Sequence, residues 1–567
     1  MALVQTLFFV WVIVYRKQSL VAPNLLPRTA AARRDAHNLQ PGGRLAGPPE
    51  GDVFVGVEQT TDKQVWFRFK DWLRHALVTG TTGSGKTELL IAIAYNFLCA
   101  GGNGLMFADP KADPKAVFKL AWIAKRFGRE DDLLICNYIT PQSSSVQREY
   151  QTSNTCNPTQ SGTAKEIATM LMSLLPKNNG GNNAVFADNA ATLIQVLSRC
   201  LVDLRNKGKL ILSWRVFREY LTLAECINLT RNAHLKNNLQ HEMSLFIFSI
   251  AGVDRNKSAD NQSQTALDQF GYIAGYCQRG LATLTGSFGY IYDCTYGDIS
   301  YTDVVHRKRL LVSVLPSLQN TQDEVSMLGK IDLLGKKQAL SQGLASRLEG
   351  NLHQIQRRHA THTGVPSLNI MDEYKYISVP GMSVAATQGR SLGWASIIGV
   401  QSYAGLSVDG DQEADEWIEN TSTKFIGSAQ GESTFNKMND IVGAEYVARS
   451  EGSARSSDWW LTDRDSVATR FEKMNILDIR DVRAQIEGEF TLIVSDREVR
   501  LRSLFVSTPI DHESADEPAG IVMNSFIDLP KIEVVDAKAL VAQDRFFQRL
   551  FKGESVLRET MSKTVSS

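Results

Sequence analysis

Neither sign of charge is in excess in this chain. Lys plus Arg number 61 and Asp plus Glu number 61 across 567 residues, so no global positive field steers the protein onto nucleic acid. Any grip on a polyanion must come from a local loop or a ring of residues. Cysteine is sparse: Cys99, Cys136, Cys156, Cys200, Cys226, Cys277 and Cys294 form no CxxC pair and an odd total. That pattern argues against both a disulfide framework and a zinc site and suits a reducing cytoplasm. The nine histidines show no ligand-like spacing, so no transition metal is expected. No internal repeat is visible.

Long hydrophobic runs are also missing, with one partial exception. Ala2 to Tyr15 is a mostly apolar run of 14 residues, shorter than the ~20 needed to cross a bilayer as a helix. No charged segment precedes it and no small-residue cleavage site follows, which makes a signal peptide a poor fit. Between Arg16 and Arg44 six basic residues stand against one acid, Asp35, the bias of a cytoplasmic flank. Residues 1–15 are therefore expected to be part of a transmembrane helix at the inner membrane, with the bulk of the chain inside the cell. A short buried helix is the alternative.

The length calls for more than one ordinary domain. Residues 16–50, rich in Pro, Gly, Ala and Arg, read as a basic juxtamembrane linker. From Gly51 the pattern turns globular. His75 to Thr79 is a strand run, Thr87 to Ala100 a helix stopped by Gly101-Gly102, and Leu105 to Ala108 the next buried strand, which makes a βαβ unit and a parallel sheet. A further strand is expected at Leu133 to Cys136. Pro141 to Gly162 is dense in Ser, Thr, Gln and Asn and reads as a surface excursion. Beyond Gly180-Gly181 strand signals fade, and residues 181–285 are expected to be an all-α insertion. Strand runs return at Leu310 to Leu315, Leu368 to Met371, Ala395 to Val400 and Phe490 to Val494. Residues 51–180 and 286–510 are thus expected to build one α/β nucleotide-binding domain, with 511–567 as a C-terminal tail.

Gly80-Thr81-Thr82-Gly83-Ser84-Gly85-Lys86-Thr87 matches GxxxxGK[ST] at every position. It lies between a strand and a helix, where glycines let the backbone wrap an anion and the helix N-terminus faces phosphate. Lys86 is expected to neutralise the β- and γ-phosphates of ATP, and Thr87 to hold Mg2+. Hydrolysis needs carboxylates, and Asp372-Glu373 supplies two at the end of an apolar run. Asp372 is the expected Mg2+-site residue and Glu373 the expected base. A polar residue ending the adjacent strand can sense the γ-phosphate, a role that suits Gln401, although simple capping of the strand end remains open. Arg390 can reach a neighbouring subunit's nucleotide and stabilise transition-state charge, which demands a ring; a surface salt bridge is the alternative.

GTTGSGKTE together with MDEYKY and QGRSLGWASIIGVQS resembles the type IV secretion coupling proteins, relatives of the FtsK and HerA DNA pumps. ADPKAD (Ala108 to Asp113), SNTCNP (Ser153 to Pro158), DVVHRKRLLVSVLPSL (Asp303 to Leu318), ENTSTKFIG (Glu419 to Gly427) and QIEGEFTLIV (Gln485 to Val494) are similar to the DotL/TrbC branch. Over residues 51–510 the resemblance implies a RecA-like P-loop domain interrupted by an all-α domain. It also implies a homo-hexamer and an upstream membrane anchor. The function it implies is an ATPase that drives a relaxase–DNA complex, secreted proteins or both into a type IV secretion channel, and it supports Lys86, Thr87, Asp372, Glu373, Arg390 and Gln401 in the roles above. ADPKAD departs from the family in carrying Ala112 where relatives commonly place Gly, so no function is assigned to that loop. Only 58 residues follow Pro509, which tilts the expectation toward conjugative DNA transfer. The rival expectations are a soluble FtsK/HerA-like DNA translocase and a docking platform that binds nucleotide without hydrolysing it. Two weaker features, the basic cluster His306 to Arg309 and the apolar stripe Phe546, Phe547, Leu550 and Phe551, read more readily as a solvated strand lead-in and a self-docking helix than as DNA and partner contacts.

Overall fold

The computed structural model describes residues 34–39, 46–140, 152–175, 184–342, 364–378, 382–407, 410–429, 431–451, 468–475, 477–494, 497–512, 520–521 and 523–524. The apolar run at residues 2–15 and the stripe at residues 546–551 lie outside the described residues.

Seven buried strands run parallel at the centre. They are β5 (Ala76–Thr79), β6 (Leu105–Asp109), β7 (Leu133–Asn137), β8 (Leu310–Val314), β9 (Ser367–Met371), β10 (Trp394–Val400) and β11 (Thr423–Ile426), in the order β11-β5-β10-β9-β6-β8-β7. Their near-continuous apolar sequences are what a sheet covered on both faces requires. β14 (Glu489–Val494) adds antiparallel to β11, then come β15 (Arg497–Ser503), β3 (Val53–Glu58) and β4 (Gln64–Phe67), followed by β1 (Asp35–Leu39) and β2 (Ala46–Gly47). Two further strands, β12 (Ala444–Glu451) and β13 (Ala468–Asn475), pair only with each other.

Because successive side chains of a strand point to opposite faces, the sheet feeds two cores. Leu77, Met106, Leu134, Leu311 and Ile398 join one hydrophobic cluster, while Val78, Phe107, Ile135, Val312 and Ile397 join the other. The second face carries helix α1 (Lys86–Cys99) and helix α2 (Pro114–Arg126). α1 is buried almost all round, from Leu89 to Leu98, as a helix wedged into a core must be. It stops at Ala100, where Gly101 and Gly102 take left-handed φ values of 91° and 70°. Helix α3 (Gln322–Gln342) lies on the first face.

Between Asn137 and Leu310 the described residues contain helices and no strand beyond a single-residue bridge from Cys156 to Ile299. One of these helices, Val185–Asn206, is long and apolar enough to cross a membrane by length and composition, with a mean hydropathy of 1.3, yet half of that window is buried inside the fold. Leu193, Leu197, Cys200 and Leu201 are fully covered.

The surface excursion expected over Pro141 to Gly162 is only partly one where it is described, with Gln160 and Ser161 exposed. Ser153, Asn154, Cys156, Asn157 and Thr159 are buried. The reason is the edge of β7: Asn154 Oδ1 accepts the Ile135 amide at 2.7 Å and Ser153 Oγ accepts the Asn137 amide at 3.0 Å. Short polar side chains thus satisfy backbone groups that a missing neighbouring strand leaves unpaired. Within the basic cluster, His306 Nε2 pairs with the Ala339 carbonyl at 2.7 Å and Lys308 donates to the Val365 carbonyl. Both are held in packing contacts.

Candidate nucleotide site

In a parallel sheet the strand ends meet on one edge, where loops converge. Here β5 leads into the Gly80–Thr87 loop, β9 into Asp372-Glu373, β10 into Gln401 and β6 into Pro110-Lys111. The loop is held from three sides. Gly80 N donates to Val400 O at 3.2 Å, Thr81 N to Ser428 O at 2.9 Å, and Gly488 N to Ser84 O at 3.1 Å. Gly83 and Gly85 sit at φ 85° and 80°, in the left-handed region. A Cβ on Gly85 would come within 2.6 Å of the Gly488 backbone nitrogen, so close approach as well as backbone conformation demands glycine there. The buried Ser84 Oγ has no hydrogen-bond partner among the described residues.

Lys86, 4% exposed, opens α1 with its ammonium 2.8 Å from Glu373 Oε1 and 3.4 Å from Asp372 Oδ1. Thr87 Oγ1 donates to Asp372 Oδ2 at 3.0 Å. Asp372 is fully buried, and its room depends on β10: a Cβ on Gly399 would meet Asp372 Oδ1 at 2.8 Å. Glu373 takes φ 46° and ψ 55°, a left-handed conformation that is strained for a residue with a Cβ and that recurs at functional sites. Gln401 Nε2 donates to Glu373 Oε1 at 2.8 Å. Burial acts to raise the Glu373 carboxyl, but the Lys86 charge and hydrogen bond, with help from Gln401 and Lys111, outweigh it and hold the group below its ordinary range.

The structure therefore brings Lys86, Thr87, Asp372, Glu373 and Gln401 together around the Gly80–Thr87 loop. Arg390 is elsewhere. It is exposed, in the short turn Gly389–Leu392 before β10, so the length of that strand, roughly 20 Å, separates it from the pocket of its own subunit. The segments on either side of the turn are tied to the start of β5 through His75, whose Nε2 meets the Ala386 carbonyl at 2.7 Å and whose Nδ1 accepts the Ser396 amide at 3.0 Å. Burial, against the Ala386 contact and with the Arg390 charge, pushes the His75 imidazole down to about 4.

Sequence reasoning passed over several residues here. Gly488, which braces the loop, lies in a stretch marked by resemblance alone, and Ser428, which braces it too, lies just past the end of another. Lys111 sits in the ADPKAD loop, to which no function was assigned, yet its ammonium is 3.2 Å from Glu373 Oε1 and 3.7 Å from Asp372 Oδ2. Asp109, buried at the end of β6, is pushed up to about 6 by burial and the Asp372 charge, against hydrogen bonds from the Asp113 and Lys111 amides. Ala112, in the place where glycine is common, has φ 55°; the backbone turn needs a left-handed residue, which explains the preference for Gly.

Known proteins are similar to this chain in sequence and in fold. The chain is 28% identical over 509 residues to the type 4 coupling protein DotL of Legionella pneumophila, a match covering 87% of this chain and 64% of that protein. The family model described as the TraM recognition site of TraD and TraG matches residues 366–485. The chain is a relative of the type IV coupling proteins. It spans less than two thirds of the length of its DotL relative. In fold it is similar to the plasmid coupling protein TrwB. The TrwB structure with ADP and Mg2+ superposes with a TM-score of 0.52 at 16% identity over 81% of this chain and 90% of that one. The TrwB structure with the ATP analogue ADPNP gives 0.52 at 15% identity over 81% and 91%. The RecA-like P-loop fold expected from the sequence is thus similar to that of TrwB, and the residues matched by the family model run from β9 through β11 to Gln485.

Proposed function

We propose that the chain is an ATP-hydrolysing coupling protein that drives substrate into a type IV secretion channel. The observation that carries this reading is the contact of Lys86 and Thr87 with Glu373 and Asp372, which closes one pocket from segments far apart in the chain. The donor set fits a magnesium–triphosphate: an ammonium, a hydroxyl hydrogen-bonded to a buried carboxylate, an unpartnered Ser84 hydroxyl and left-handed glycines around a helix N-terminus. Bound Mg2+ supplies positive charge on the phosphate oxygens. In this reading Thr87 and Asp372 hold the metal and Lys86 neutralises the β- and γ-phosphates. Glu373 orients the attacking water and takes its proton, while Gln401 keeps the Glu373 carboxylate aimed.

Arg390 lies too far from the pocket of its own subunit to act there. A neighbour in a ring is the arrangement that lets it reach nucleotide, and we assign the working form as a homo-hexamer. The DotL relationship supports membrane association at the bacterial inner membrane. It also supports recruitment of a relaxase–DNA complex, secreted proteins or both, with the helical region around residues 181–285 as the cargo-facing part and residues 51–180 with 286–510 as the motor.

Glu373→Gln tests the reading. Nucleotide binding should persist, while phosphate release falls by roughly a hundredfold or more and transfer stops. Normal turnover in this variant would refute the assigned chemistry, and absence of turnover in the wild-type ring with DNA present would favour a docking platform. Recovery of the intact chain entirely outside the membrane fraction would favour a soluble translocase.

A further inference from the structure

A second ammonium enters the pocket from the opposite wall to Lys86. Lys111 Nζ lies 3.2 Å from Glu373 Oε1, 3.7 Å from Asp372 Oδ2 and 3.5 Å from Thr87 Oγ1. The turn that carries it is fixed at both ends. Asp109 Oδ1 accepts the Lys111 amide at 2.9 Å, Asp109 Oδ2 accepts the Asp113 amide at 3.0 Å, and the Asp113 side chain in turn caps α2 through the Lys115 amide at 2.9 Å. Ala112 completes the turn at φ 55°. A loop braced this way, with a strained residue at its tip, aims one long side chain at the pocket, yet Lys111 keeps 38% of its surface exposed. It can therefore change partner without unpacking a core.

Charge explains why a second cation belongs there. Asp109, Asp372 and Glu373 cluster on this edge, and Lys86 alone cannot offset three carboxylates and a terminal phosphate as well. Lys86 and Lys111 converge on the same Glu373 oxygen, so a dianionic group arriving beside Glu373 would meet both ammonium groups. A diphosphate lacks that group.

Resting on the nucleotide reading above, we propose that Lys111 selects the γ-phosphate: it exchanges Glu373 for the terminal phosphate of a nucleoside triphosphate, with Asp109 as its positioning residue. The exchange makes the pocket prefer triphosphate over diphosphate and releases Glu373 from one of its two lysines only when the γ-phosphate is in place.

The test is equilibrium binding of fluorescent mant-ADP and mant-AMPPNP with Mg2+ to the full chain, alongside a thermal melt of each variant. Lys111→Met should lose about ten- to a hundredfold in AMPPNP affinity, the worth of one charge-assisted hydrogen bond, with ADP affinity within about twofold of wild type. Lys111→Arg should recover part of the AMPPNP loss, and Asp109→Asn should erode the same selectivity. Equal losses for both nucleotides, or none for either, would overturn the inference while leaving the nucleotide reading intact. A wild-type chain that binds neither probe would overturn both.

Discussion

His75 offers a test of how the sheet is tied together. It sits at the start of β5, 2% exposed, and its two ring nitrogens join that strand to β10 and to the segment before Arg390. With Nδ1 accepting from Ser396, Nε2 carries the proton and donates to Ala386, so the native ring is neutral. The unfolded chain takes up a proton as pH falls through 6.5, whereas burial keeps the native imidazole unprotonated down to about 4. Its contribution is therefore full above 6.5 and lost toward acid: about 2 kcal/mol is gone at pH 5 and about 3 kcal/mol below pH 4. Asp35 and Asp109, both pushed up to about 6 mainly by burial, act with the opposite sign, each favouring the native state by about 1 kcal/mol more at pH 5 than at neutrality. The wild-type curve alone thus hides the effect, and a variant must isolate it. His75→Asn suits the purpose because the residue sits at φ 60°, a conformation that Asn tolerates. Urea unfolding of both proteins at pH 7.5 and pH 5 should show the variant less stable at pH 7.5, with the gap shrinking by about 2 kcal/mol at pH 5. A gap that stays constant or widens would refute the account of a neutral, doubly bonded ring.

Lys86→Ala should do more than abolish nucleotide binding: it strips the nearest cation from two buried carboxylates, a loss of about 3 kcal/mol even without ligand, visible as a lowered melting temperature that Glu373→Gln does not share. Equal melting temperatures for the two variants would contradict that asymmetry. Asn369 lies fully buried in β9 with neither amide atom hydrogen-bonded among the described residues. Asn369→Leu should therefore raise stability by about 1 kcal/mol in urea unfolding, and a loss would mean that the amide is satisfied in a way the structure does not display.

The strands of the parallel core were readable because a strand covered on both faces must be largely apolar, as Leu105 to Ala108 is throughout and Leu310 to Val314 is apart from Ser313. β15 was not: it alternates buried Val499 and Leu501 with exposed polar residues and looks like surface chain. β11 was hidden by Thr423 and Lys424, buried polar residues in the middle of the sheet. Ser153 to Thr159 misled for the converse reason, since polarity there serves an edge strand's backbone and not solvent. At the pocket, Lys86, Thr87, Asp372, Glu373 and Gln401 were legible because the spacing of the loop and the rule that parallel strands end on one side placed them. Lys111 and His75 carried no such signal. Each is a lone polar residue whose meaning comes from what a distant segment sets beside it.

The position of β5 has a further consequence for how the protein is made. Its neighbours are β10 and β11, so when the ribosome has just finished the Gly80–Thr87 loop, both flanks of its strand are still missing. The amide of Gly488 that braces Ser84 is synthesised some 400 residues after the loop itself. At about 5–20 residues per second, the nascent chain carries an unfinished pocket and open, apolar strand edges for tens of seconds. Early-terminated products would keep those edges for good, so chaperone dependence and rapid proteolysis of N-terminal fragments are built into the strand order.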